Sequence, residues 1–169
     1  MRQCFFNKKP RDNIIKMKAI AVFTGPKIKG TVRFTEEGGK TAIDIDVQGL
    51  KKNGVHGFHI HEYGDLSQGC DSACGHYNPY HKNHGGPEDK ERHVGDLGNL
   101  TADAEGKAQY RMIDPLVKLR GTKCNIVGRG LVIHADSDDL GKGKNEASLV
   151  NGNAGKRIAC AVIGWSSQC

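Results

Sequence analysis

The chain has 169 residues, of which 37% are hydrophobic and 26% charged, with a formal net charge of +6, enough for one domain with a sizeable core. No apolar run approaches the roughly 20 residues that span a bilayer, and the opening "MRQCFFNKKPRDNIIK" lacks the apolar stretch of about 7–15 residues expected of a secretory leader. Much of the positive charge lies in residues 1–16, where Arg2, Lys8, Lys9, Arg11 and Lys16 face only Asp12; the remainder lacks the basic stripe with interleaved aromatics that nucleic-acid binding requires.

Residues 1–16 read as a flexible basic extension and residues 17–169 as one domain. The first strand is expected at 18–24. "TVRFT" (31–35) then sets Val32 and Phe34 on one side, and "AIDIDV" (42–47) does the same with Ile43, Ile45 and Val47. Such period-two alternation marks half-buried antiparallel strands, and "EEGGK" (36–40) between them is a hairpin connection. Further strands are expected at 54–61, 94–102, 108–113, 128–134 and 158–163. Eight short strands and no amphipathic helix predict an all-β, antiparallel Greek-key β-sandwich or barrel. Residues 62–93 and 135–157 are rich in Gly, Asn and Asp, and loops of this length in a compact domain are usually functional or disordered. Both adjoin histidines, which favours function.

The chemistry is concentrated around "HGFHIHEYGD" (56–65). Residues i and i+2 of a strand share a face, so His59 and His61 project together and His56 belongs to the other side. Within the next loop, His76, His84, His93 and Asp96 offer three nitrogens and a carboxylate, a set that suits Zn²⁺. His134 ends the apolar run "LVIH" and can join His59 and His61 in a nitrogen-rich site, whose ion, copper, zinc or iron, spacing alone does not choose.

The segments "GFHIHEYGD", "GHYNP", "HGGPEDKERHVGDLGN", "LVIHADSDDLGKG" and "GNAGKRIACAVIG" follow one another as do the signatures of the copper/zinc superoxide dismutase family, which the chain resembles from about Met17 to Gly164. Carried over position by position, the resemblance implies copper ligands His59, His61, His76 and His134. It implies zinc ligands His76, His84, His93 and Asp96, with His76 shared as a bridge. Asp138 corresponds to a carboxylate that hydrogen-bonds His59 and His84, and Cys70 and Cys160 to an intrasubunit disulfide. Cys4, Cys74, Cys124 and Cys169 acquire no role and are expected as free thiols, with Cys74 a rival in disulfide exchange. His56 is expected to make a structural hydrogen bond across the disulfide-bearing loop.

The implied activity is an antioxidant one: disproportionation of superoxide to dioxygen and hydrogen peroxide, with one copper and one zinc per subunit. His76 and Arg157 are the implied catalytic residues, Arg157 guiding the anionic substrate. The two long segments become the metal-binding and electrostatic loops. In the latter this chain departs from many cytosolic relatives: Glu146 is followed by Ala147 where they have a Glu-Glu pair, and Val150 and Asn151 replace Lys-Thr. The resemblance further implies a cytoplasmic homodimer, with an interface drawn from Ile126, Val127, Val162 and Trp165, and a copper chaperone as partner. No nucleic acid or membrane partner is expected.

Overall fold

The computed structural model describes residues 16–167. Cys4, Cys169 and all of the basic extension except Lys16 fall outside them; Lys16 Nζ pairs with Glu37 Oε2 at 2.9 Å. The strands are β1 (Met17–Thr24), β2 (Lys29–Glu37), β3 (Lys40–Gln48), β4 (Val55–His61), β5 (Ser67–Cys70), β6 (Asp96–Thr101), β7 (Lys107–Asp114), β8 (Gly130–His134), β9 (Arg157–Val162) and β10 (Gly164–Trp165). All eight expected strands are present. The two additional ones, β5 and β10, have four and two residues, too few for an alternation to register. One short helix, α1 (Glu146–Asn151), lies in the second long loop. At six residues it carries no amphipathic period, which is why no helix was expected there.

Two antiparallel sheets form, in the orders β10-β1-β2-β3-β7 and β6-β4-β8-β9. The chain leaves the first sheet after β3, builds β4 and β6 in the second, and returns at β7 to pair with β3. These crossovers give the Greek-key path. Register follows the alternation: Val32 faces Ile45 and Phe34 faces Ile43 across β2 and β3. Those side chains meet Phe58, Ile60, Leu100, Leu131 and Ile133 of the second sheet in one core. Burying each large apolar side chain stabilises the fold by about 1.5–3 kcal/mol.

Ile126, expected at an interface, is fully buried in this core, whereas Val162 and Trp165 are exposed and Val127 is only partly buried against the core. Ile126 lies ahead of β8, where its N–H donates to Lys118 O at 3.0 Å and its side chain turns into the core. Cys70 at the end of β5 is disulfide-bonded to Cys160 on β9, across a sequence separation of 90, a closure that contributes on the order of 4–5 kcal/mol in the chain-entropy model. Cys74 is an exposed free thiol and Cys124 a buried one. No described helix is long and apolar enough to cross a membrane.

Candidate metal centre

Three adjacent strands of the second sheet deliver fixed donors, and the loop between β4 and β6 folds over them. β4 carries His59 and His61 while Phe58 and Ile60 enter the core. β8, paired with β4, ends in His134, and β6 begins with Asp96 opposite His59. The loop is tied down beside them: Tyr77 N donates to Ile60 O at 2.8 Å and Ile60 N to Gly95 O at 2.9 Å, with His61 and His76 bridged by backbone pairing. Gly57 allows the close approach that follows, since a Cβ there would lie 2.6 Å from Ala154 Cβ and 3.1 Å from the His59 ring.

The side chains gather into two sets with one shared member. His59, His61, His76 and His134 form the first, and His76, His84, His93 and Asp96 the second; within each, one ligand atom per residue lies within 4.8 Å of the others. In the second set the Nδ1 atoms of His76, His84 and His93 lie 2.9, 3.0 and 3.1 Å from Asp96 Oδ1. A tetrahedral ion with bonds of about 2.0–2.1 Å holds its ligand atoms about 3.3 Å apart, so this spacing is close to that of a coordination shell. His84 Nδ1 is buried, and its nearest polar neighbour in this set is Asp96 Oδ1.

The opposite ring nitrogens are occupied, and that fixes the tautomers. His59 Nε2 and His84 Nε2 each lie 2.8 Å from one oxygen of Asp138. His61 Nδ1 donates to Cys74 O at 2.7 Å, His134 Nδ1 to Gly155 O at 3.1 Å, and His93 Nε2 to Lys82 O at 2.9 Å. With their protons committed, His61 Nε2 and His134 Nε2 face each other as lone pairs at 3.4 Å. His59 Nδ1 and His76 Nε2 are buried and unpartnered beside them. Four converging imidazole lone pairs repel one another unless a cation lies between them, and an all-nitrogen set suits copper. His76 alone has both nitrogens turned to donor sets.

Electrostatics sort the same residues. Burial, reinforced by the neighbouring His76, pushes His59 down to about 3 and His61 to about 2. Burial also brings His134 to about 4 and lowers His76. These rings stay neutral, the form that binds metal. Burial disfavours the charged form of His84 too, but hydrogen bonds and charge from Asp138 and Asp96 prevail and raise it to about 9. Asp96 and Asp138 resist burial through their histidine hydrogen bonds and stay well below the usual carboxylate range.

Arg157 sits at the start of β9 on a cleft of about 570 Å³ whose lining also includes His61, His76 and His134. Its guanidinium donates to Cys70 O at 2.7 Å, to Asp71 O and to Cys74 O, and among the described residues no carboxylate pairs with it. The disulfide therefore places one of the carbonyls that hold this arginine. Val150 and Asn151 line the same cleft. His56 Nδ1 donates to His134 O at 2.8 Å, so its tie runs to the end of β8 and not across the disulfide-bearing loop.

Several participants carry no side-chain signature. The carbonyls of Cys74, Lys82 and Gly155 orient three of the rings and only the folded loops reveal them. Asn99 likewise carries no ligand signature: its Nδ2 donates to Asp138 O at 2.9 Å and its Oδ1 accepts from Asp138 N at 2.7 Å, clamping Asp138 to β6. Its place in "HVGDLGN" was the available signal.

Residues 28–163 match the family model "Copper/zinc superoxide dismutase (SODC)". The superoxide dismutase [Cu-Zn] of Paramecium bursaria Chlorella virus 1 is 60% identical over 157 residues, 92% of this chain and 83% of the viral protein. That of Yarrowia lipolytica (strain CLIB 122 / E 150) is 52% identical over 154 residues, 89% of this chain and 99% of the yeast protein. Among solved structures, the crystal structure of the clock protein EA4 superposes with a TM-score of 0.86 at 41% identity, covering 98% of this chain and 100% of that one.

Proposed function

The chain belongs to the copper/zinc superoxide dismutase family, and from that premise we infer how its own residues carry out 2 O₂⁻ + 2 H⁺ → O₂ + H₂O₂. The reading assigns His59, His61, His76 and His134 to copper and His76, His84, His93 and Asp96 to zinc, within residues 17–169 as one functional domain. The observation that carries it is His76, with Nδ1 2.9 Å from Asp96 Oδ1 and a buried, unpartnered Nε2 among the other histidines. Bound copper supplies one-electron redox chemistry, and bound zinc a fixed charge without redox activity.

Arg157 seats the anion. A guanidinium stays charged at any relevant pH and offers a rigid fork of donors; three backbone carbonyls fix its position without neutralising it. His76 handles the proton, taking it at Nε2 in one half of the cycle and returning it to reduced oxygen in the other, while Nδ1 stays directed at the zinc set. Asp138, held by Asn99, keeps His59 and His84 in the required tautomers.

The assembly reading is a cytoplasmic homodimer whose copper is delivered by a chaperone. The exposed Val22, Val162 and Trp165, at 48%, 42% and 55%, support the dimer, because bulky apolar side chains in the open favour burial at an interface. The cytoplasmic placement rests on the likeness of the motifs to cytosolic members, and the chaperone on the deep burial of the copper-side rings.

Reconstitution with both metals, followed by an assay of superoxide removal, tests the assignment. Cyanide-sensitive activity is expected, abolished in His61→Ala while zinc content is retained. A fully copper-loaded protein without activity, or an active His61→Ala, overturns it.

A further inference from the structure

The rim of the cleft carries a feature that the dismutation of a two-atom anion does not use. Leu149 and Val150 line it, yet remain 43% and 56% exposed to water. They are not the frayed end of a loop. Asn145 Oδ1 accepts from Ser148 N at 2.9 Å to start α1, Gly152 closes it in a left-handed conformation at φ 65°, and Ser148 is fully buried. His84 N then donates to Leu149 O at 2.8 Å, so the apolar lip is fastened to the zinc-side loop.

The same concavity is lined by two cations. Arg157 has no carboxylate partner among the described residues, and Lys82 is anchored by donating from Nζ to Lys90 O at 2.6 Å. An unneutralised cationic floor beside a fixed apolar lip fits a ligand with an anionic head and an apolar tail. We propose that the cleft binds medium-chain monocarboxylates, head on Arg157 and methylenes on Leu149 and Val150, in competition with superoxide. The proposal rests on the reading of Arg157 as the anion seat. Two or three methylenes covered by the lip correspond to roughly tenfold tighter binding, or more, than a head group alone.

Calorimetric titration of the copper- and zinc-loaded protein with octanoate, acetate and 1-octanol tests this, alongside competition assays of superoxide removal. Octanoate is expected to bind roughly tenfold or more tighter than acetate, 1-octanol more weakly than octanoate, and octanoate to inhibit competitively. In a Leu149→Thr, Val150→Lys double variant the octanoate-to-acetate ratio should fall toward one while acetate still binds. Equal affinities for octanoate and acetate, an undiminished ratio in the double variant, or 1-octanol matching octanoate overturns the proposal. Arg157→Ser separates the two readings. If acetate binding and superoxide removal both survive it, the Arg157 assignment fails; if acetate still needs Arg157 and only the chain-length gain is missing, the lip alone fails.

Discussion

Cys74 occupies a backbone conformation, φ 60° and ψ −147°, that is essentially reserved for glycine, and holding another residue there costs on the order of 1–3 kcal/mol. Its carbonyl nevertheless serves both His61 and Arg157, so the strain is held in place by the site it helps build. Cys74→Gly should therefore stabilise the fold by a net of about 1 kcal/mol, once the extra freedom of glycine in the unfolded chain is subtracted, and so raise the unfolding temperature; thermal melts of the loaded protein check it, and a lowered midpoint counts against it. Gly152 is the reverse case. A Cβ there would overlap the Asp138 carboxylate and the His84 ring, and the left-handed φ adds strain. Gly152→Ala should weaken zinc retention and cost at least 2 kcal/mol or so of stability, measured by zinc release against a chelator and by melting. His56 and His61, five residues apart in one strand, should separate cleanly: His56→Ala lowers stability while leaving metal-dependent activity largely intact, and His61→Ala does the opposite. Sequence parity alone separates these two histidines, because the i, i+2 rule needs only the strand. The partner of His56 was not legible, since it is a backbone carbonyl 78 residues away.

At the scale of elements, the strands were legible because their alternation reports burial directly: Ile43, Ile45 and Val47 face the core as their spacing predicted. The helix α1 was not, because six residues capped by Asn145 and Gly152 derive their order from Ser148 and from the loop beneath them. The expected departure at Val150 now has a location, on the wall of the cleft. Lacking a cation there, the protein should capture superoxide somewhat more slowly than relatives with lysine at that position, with a shallower dependence on salt. Val150→Lys should raise kcat/KM at low ionic strength and make it fall more steeply as salt shortens the screening length. Stopped-flow measurements across ionic strengths decide this, and parallel salt profiles for the two proteins would refute it.

For the whole molecule, metal-free protein should show a stability maximum near neutrality, from opposed titrations. His59, His61 and His134 fold with values of about 3, about 2 and about 4, below the roughly 6.5 of a free imidazole. Their contribution is intact above about pH 6.5 and is lost as pH falls, because the unfolded chain then binds more protons. His84, raised to about 9, contributes fully below about 6.5 and progressively less as pH rises through 9. Melting of chelator-treated protein at pH 4.5, 6.5 and 9.5 should thus peak at the middle value, and a flat profile between 6.5 and 9.5 contradicts the His84 assignment. The proposed homodimer offers a separate check: Trp165→Asp should move sedimentation toward the monomer, and a profile unchanged from the parent counts against Trp165 at the interface.

Asp138 has one oxygen on His59 and the other on His84, each at 2.8 Å, while Asn99 holds its backbone. A single carboxylate thus belongs to the surroundings of both proposed ion sites, as does the His76 ring. Linkage makes such an arrangement symmetrical: whatever factor zinc occupancy contributes to copper affinity, copper occupancy must return to zinc. Titrating each metal in the presence and absence of the other should give the same ratio from both directions. Asp138→Ala should bring that ratio toward one, leaving two sites that no longer report on each other's filling.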